Sequence, residues 1–220
     1  MNLQMPITKR RITHHFQYAV WMYLLLIALA LFGWNLIYTT TRYRPPEDMQ
    51  VEFYAEATSY SEDALTELAD RIHEEVMPEM ESVTSTVISI SDDYYGEMQI
   101  TVWISASQGD VYLLSSEYFK SFAASGAFMD LSPYVESGAL DVEGLDLSDG
   151  YVALTDYDDE DTETEVDVST PKLYGIPAAQ LTGFTDYSVD AEDKVLCILY
   201  NNGNDEYSIK FLNYLLENLR

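Results

Sequence analysis

An α/β domain with a largely parallel sheet, carried behind one N-terminal transmembrane helix, is the fold class this sequence predicts. Three observations predict it. Residues 19–38, AVWMYLLLIALALFGWNLIY, contain no charged side chain. Charge divides across that run: residues 1–44 hold Lys9, Arg10, Arg11, Arg42 and Arg44 and no acid, whereas 45–220 hold all 38 acids and the other six of the eleven bases. Beyond the run, β-branched apolar segments alternate with segments of helical period, as βαβ units do.

At about 1.5 Å per residue, a helix over 19–38 spans roughly 30 Å, the thickness of a hydrocarbon core. Asn35 is its only strongly polar side chain and lies near one end. Trp21, Tyr23, Trp34 and Tyr38 lie towards the two ends, where amphipathic rings favour the headgroup region. Lys9, Arg10 and Arg11, with His14 and His15 beside them, precede the run, so the N-terminus stays cytoplasmic and the acidic domain lies outside. Arg42 and Arg44 oppose that bias. A cleaved signal peptide is the competing reading, but its best site, Ala28-Leu29-Ala30, interrupts the apolar run instead of following it. No cysteine flanks the span, which excludes a lipid-modified one. The predicted organisation is a basic leader (1–18), a signal-anchor helix in the bilayer (19–38), a linker (39–49) and an extracellular domain (50–220) of a single-pass membrane protein.

Composition excludes several classes. The formal charge of residues 45–220 repels nucleic-acid phosphates and anionic lipid. The single cysteine, Cys197, forms no internal disulfide and reads as a buried, inert thiol in VLCIL. The eighteen tyrosines suit either a recognition surface or a polar coat.

The elements follow in order. Pro45-Pro46 favours a stiff extended linker. VEFYA (51–55) predicts a buried strand. Ser59-Tyr-Ser-Glu62 resembles a capping box before a helix to about Met77, with Leu65, Leu68, Ala69, Ile72 and Val76 on one face and Pro78 after its end. His73 falls off that stripe and is expected in solvent. SVTSTVISIS (82–91) predicts a second strand. Residues 93–107 fit both periods: Met98, Ile100, Val102 and Ile104 alternate, while Tyr95, Met98, Val102 and Ala106 recur helically. VYLL (111–114) predicts a short strand, Ser116 caps a helix through Ala124, and Gly126 closes it. Ser132-Pro133 starts a helical turn. GYVALTDY (150–157) and 164–177 predict a strand pair around an acidic tip. KVLCILY (194–200) predicts another strand. Asn204 caps a last helix whose apolar face is Ile209, Leu212, Leu215, Leu216 and Leu219.

Catalytic patterns are absent. Two of the three histidines precede the span, and no HExxH, CxxC, P-loop or GxSxG string occurs. No enzymatic activity, cofactor or nucleic-acid partner is expected. In DYDDEDTETEVD (156–167), Asp156, Asp158 and Glu160 alternate as calcium-loop ligands do. However, Asp161 stands where the turn needs Gly, and Asp167 replaces the bidentate Glu. A solvated acidic tip is expected, with no metal site.

At residues 109–135, GDVYLLSSEYFKSFAASGAFMDLSPYV, the chain resembles the extracellular solute-binding proteins of ABC importers, the maltose-binding type. KLYGIPAA (172–179) is similar to that family's Tyr-Gly-hydrophobic-Pro signature, and NDEYSIKFLNYLLENL (204–219) to its late helix. The resemblance implies a periplasmic-binding-protein-like lobe, a helix over 93–107, and a ligand at the carboxyl ends of the strands. It makes Tyr54, Glu56, Ser115, Ser116, Glu117, Tyr118 and Tyr174 the candidate ligand-binding residues. After Tyr-Gly-Ile-Pro the chain passes almost directly to its final strand and helix, so one lobe is expected in place of two. The implied role is recognition of a small solute, a sugar or peptide, in support of an ABC permease. The alternative is a ligand-less scaffold domain that docks a membrane-protein partner.

Overall fold

The charge-free run and its basic approach form one helix, α1 (Lys9–Thr41). It belongs to a computed structural model that describes residues 9–43, 45–89, 94–155, 170–200 and 203–220. The stretch Ala19–Thr41 is long and apolar enough to cross a membrane. The helix continues beyond the expected end at Tyr38 to Thr41, and the three threonine hydroxyls of this last turn bond back onto its own carbonyls. Thr39 donates to Asn35 O (2.9 Å), Thr40 to Leu36 O (2.7 Å) and Thr41 to Ile37 O (2.6 Å). The expected linker is therefore partly ordered: its start is helical, and Glu47–Met49 forms a 3-10 turn. The chain divides into two compact units, Met1–Arg44 and Pro45–Arg220.

The second unit is an α/β sandwich around a five-stranded mixed sheet. Its strands are β1 (Gln50–Ala57), β2 (Ser82–Ser89), β3 (Val111–Ser115), β6 (Gly175–Pro177) and β7 (Lys194–Ile198), in the spatial order β2-β1-β3-β7-β6. β1 runs parallel to β2 and to β3; β7 is antiparallel to both of its neighbours. Four strands thus share one direction and β7 alone opposes them. β4 (Tyr151–Val152) and β5 (Lys172–Leu173) pair separately. The expected strand pair around the acidic tip is corrected accordingly. It is two residues deep, the following residues join the main sheet as β6, and the tip at 156–167 lies outside the described residues.

Period-two alternation sorts β1 onto two cores. Val51, Phe53, Ala55 and Ala57 face α2 (Glu62–Val76) and α6 (Asp205–Asn218), where Phe53 meets Phe211 at 5.3 Å between ring centroids. Tyr54 belongs to the opposite core beneath α3 (Tyr94–Ser105) and α4 (Ser116–Ala124), with Ile88, Ile100, Tyr112 and Phe119. The short helix α5 (Ser132–Glu136) begins with Pro133 in its first turn, as read from the sequence.

Three local expectations are corrected. The cap of α2 is Ser61, whose hydroxyl accepts from Ala64 N at 3.4 Å; the Ser59 hydroxyl donates instead to Ser188 O. His73 is half-buried, and its Nε2–H donates to Met80 O at 2.8 Å, closing the turn after the helix. Asn204 stands at the cap position of α6. Its amide nitrogen, however, donates to Glu47 O and Gln50 O at 2.8 Å each and to Asp110 Oδ1 at 3.2 Å.

Candidate ligand-recognition site

The shared direction of β1, β3 and β6 puts their carboxyl ends on one edge of the sheet. Antiparallel β7 starts at that same edge, with Lys194 directly opposite Ser115. Glu56, near the end of β1, is buried there and its carboxylate joins the strands. Oε2 accepts from Ser115 N at 2.6 Å, and Oε1 pairs with Lys194 Nζ at 3.1 Å. The two side chains are only 9% and 13% exposed, so this ion pair is screened far less than a surface one. Ser116 N donates to Asp193 O at 3.0 Å, and Ala178 N to Lys194 O at 2.8 Å. The first turn of α4 is thereby held against the start of β7.

The α4 side of this edge carries the accessible groups. Ser115 and Ser116 are half-buried, and Glu117 is exposed. Tyr118 is half-buried, and its phenol is pushed up to about 12, first by burial and then by a hydrogen bond to Glu97 of α3. The charges of Glu56 and Glu117 add to that rise. The rim therefore presents hydroxyls and carboxylates with a single, internally paired ammonium. Such a rim accepts hydrogen bonds from neutral hydroxyl groups or amines and repels anions.

Glu56, Ser115, Ser116, Glu117 and Tyr118 are thus brought together, while two other sequence-predicted residues lie elsewhere. Tyr54 is level with Tyr112 in the middle of the sheet. Its ring packs between Trp103 (4.6 Å) and Tyr112 (5.2 Å), and its hydroxyl donates to Glu52 at 3.0 Å. Tyr174 precedes β6 and so lies towards the amino side of the strands. It is 5% exposed among the α4-side core residues, and burial raises its phenol. The reason is alternation and register: both rings belong to the inward face, and neither lies at a strand's carboxyl end.

Sequence reasoning missed Lys194. The available signal is that it is the only Lys or Arg between Lys172 and Lys210, in an acid-rich stretch. Cys197 is fully buried and its thiol is pushed up by that burial, as an inert core position requires. Among the described residues, no group of three or more His, Cys, Asp or Glu is placed to hold a metal ion.

No protein-family profile and no curated protein matches this chain. Solved structures do. An extracellular solute-binding protein of family 1 from Alicyclobacillus acidocaldarius is 13% identical with a TM-score of 0.40, over 62% of this chain and 29% of that one. An ABC substrate-binding protein from Listeria monocytogenes, in complex with cycloalternan, is 19% identical with a TM-score of 0.35, over 57% and 28%. The N-glycan transport solute-binding protein of Streptococcus pneumoniae is 19% identical with a TM-score of 0.38, over 64% and 30%. The chain thus spans less than a third of the length of each of these structures.

Proposed function

We propose that this chain is a membrane-anchored extracytoplasmic recognition protein of the solute-binding type. Its α1 helix holds it in the bilayer. Its single lobe contacts a small polar solute, a sugar or peptide, at the carboxyl edge of the sheet in support of an ABC importer. The observation that carries this reading is the convergence of Ser115, Ser116, Glu117 and Tyr118 beside the Glu56–Lys194 pair, at the edge where open α/β sheets bind ligands. The role is recognition rather than catalysis.

The test is a thermal-shift titration of the full chain in nanodiscs with sugars, oligosaccharides and peptides. A solute at about a hundred times its dissociation constant adds about 2.7 kcal/mol of stability. Glu117→Gln, at an exposed position, is expected to weaken that gain and leave the unliganded melting point within about a degree. Tyr118→Phe, which also gives up the hydrogen bond to Glu97, is expected to remove the gain at a cost of about 1 kcal/mol in the unliganded protein. Silence across the solute set sinks the solute reading.

One observation favours a second reading. Glu56, Lys194 and the Ser115 amide satisfy one another, and Tyr54 and Tyr174 are withdrawn into the core. A surface closed in this way suits docking of a membrane-protein partner better than enclosure of a ligand. Recovery of one stoichiometric membrane protein by crosslinking from the rim, with no solute shift, selects it.

A further inference from the structure

β2 is one of the two terminal strands of the sheet, and among the described residues it pairs on one side only. Its eight residues, SVTSTVIS, hold no charge and no proline, and they pair with β1 in unbroken register from Gln50↔Ser82 to Ala57↔Ser89. Natural edges are blunted by charge, proline, bulges or shortness, and β2 has none of these. It is a terminal strand of the sheet, so alternate backbone N–H and C=O groups face outward. Thr84 and Thr86 are exposed along it. A hollow adjoins the edge, lined by Ser85, Thr86 and Val87 of β2 and by Tyr60, Glu62 and Leu65 at the start of α2. The strand supplies a template, and the hollow supplies room for a side chain of whatever adds to it.

Charge selects the occupant. The helix packed over β2 exposes Glu62 at the hollow and, beyond it, Asp63 and Asp70, whereas Glu75 and Arg71 turn away toward Tyr214 and Tyr187. A second copy of this chain on the same edge brings two such helices together, and their like charges oppose it. A segment bearing Lys or Arg at alternate positions places its cations beside these carboxylates while its backbone pairs with β2. We propose that β2 is a strand-addition site for an extended basic segment of a partner polypeptide, separate from the carboxyl-edge site and independent of it.

The experiment uses the full chain in nanodiscs and a synthetic ten-residue peptide in which Lys alternates with Thr and Val. A second peptide with Glu in place of every Lys is the control. The Lys peptide is expected to bind, to slow amide exchange within 82–89 by about tenfold, and to weaken as salt is raised. Thr86→Lys, at an exposed position, and separately Glu62→Gln, at the hollow, are each expected to weaken that peptide several-fold. Glu62→Gln keeps the test readable should Thr86→Lys misfold. Four results overturn the proposal: no binding by the Lys peptide, equal binding by the Glu peptide, binding that leaves exchange in 82–89 unchanged, or protection of 82–89 by self-association alone.

Discussion

Glu56 shows how one side chain joins local structure to the site. It sits near the end of β1, accepts from the amide of Ser115 at the end of β3 and neutralises Lys194 at the head of β7. Removing one member of a buried pair leaves the other charge without compensation, which costs about 3–5 kcal/mol. Lys194→Ala is expected to lose that much in urea unfolding. The double variant Glu56→Gln with Lys194→Met is expected to lose clearly less. Equal losses would mean that the charges are not coupled. Gly109 makes a second single-residue case. Its φ of +80° suits glycine, and a Cβ there runs into the ring of Tyr54. Gly109→Ala is expected to destabilise by about 2 kcal/mol or more and to perturb the near-ultraviolet signal of the Tyr54–Tyr112–Trp103 cluster. The sequence marked Glu56 as a candidate but not its partner, because no periodicity links residues 138 positions apart.

Among the elements, α3 is the most instructive. The strand-like alternation of Met98, Ile100, Val102 and Ile104 is not realised, because the segment is helical. Ile100 and Ile104 enter the core, whereas Tyr95, Met98 and Val102, the positions that recur helically in the sequence, are exposed. A short segment with apolar residues on two faces fits both periods, and which face is buried depends on the sheet beneath it. The junction of β1, β3 and α6 carries a testable charge. Asp110 is 4% exposed and accepts from Glu52 N at 2.7 Å and from Asn204. Burial lifts its carboxyl to about 6, against hydrogen bonds from Glu52 N and Asn204 that pull it down. A carboxyl raised on folding contributes stability that is complete below its unfolded value of 3.8 and is lost as pH rises through about 6. Asp110→Asn does not titrate, so its stability relative to the parent is expected to improve by about 2–3 kcal/mol between pH 3.5 and pH 7. Urea unfolding at both values reads this directly; a difference independent of pH would show that folding does not shift the Asp110 carboxyl.

For the whole molecule, charge dominates. Residues 45–220 carry 38 acids against six bases, and the described ion pairs are exposed or half-exposed apart from Glu56–Lys194. Self-repulsion of that size is relieved by screening. The melting temperature is therefore expected to rise when NaCl is raised from low to moderate concentration in calorimetry, and a fall would mean that attractive pairs outweigh the repulsion. The anchor is testable at the same scale. Arg in place of Leu29 at mid-span costs about 2.5–3.5 kcal/mol of insertion free energy. Leu29→Arg is expected to shift the chain out of the carbonate-resistant membrane fraction. The intact mass of the parent protein in that fraction is expected to include residues 1–38, and a mass lacking them would overturn the anchor.

The sequence by itself determined the apolar helix, the α/β class, the strands β1, β2, β3 and β7, and the buried stripes of α2 and α6. Each of these rests on a pattern a few residues long, repeated by local geometry. Only the tertiary structure decided that β7 runs against its neighbours, that Asn204 ties the start of β1 to Asp110, and that Tyr54 and Tyr174 belong to the core while Glu56 meets Lys194 at the edge. Those outcomes depend on which strands lie side by side and in what register. Register is settled by burying both faces of the sheet at once, so it follows from all the elements together and from no single stretch of chain.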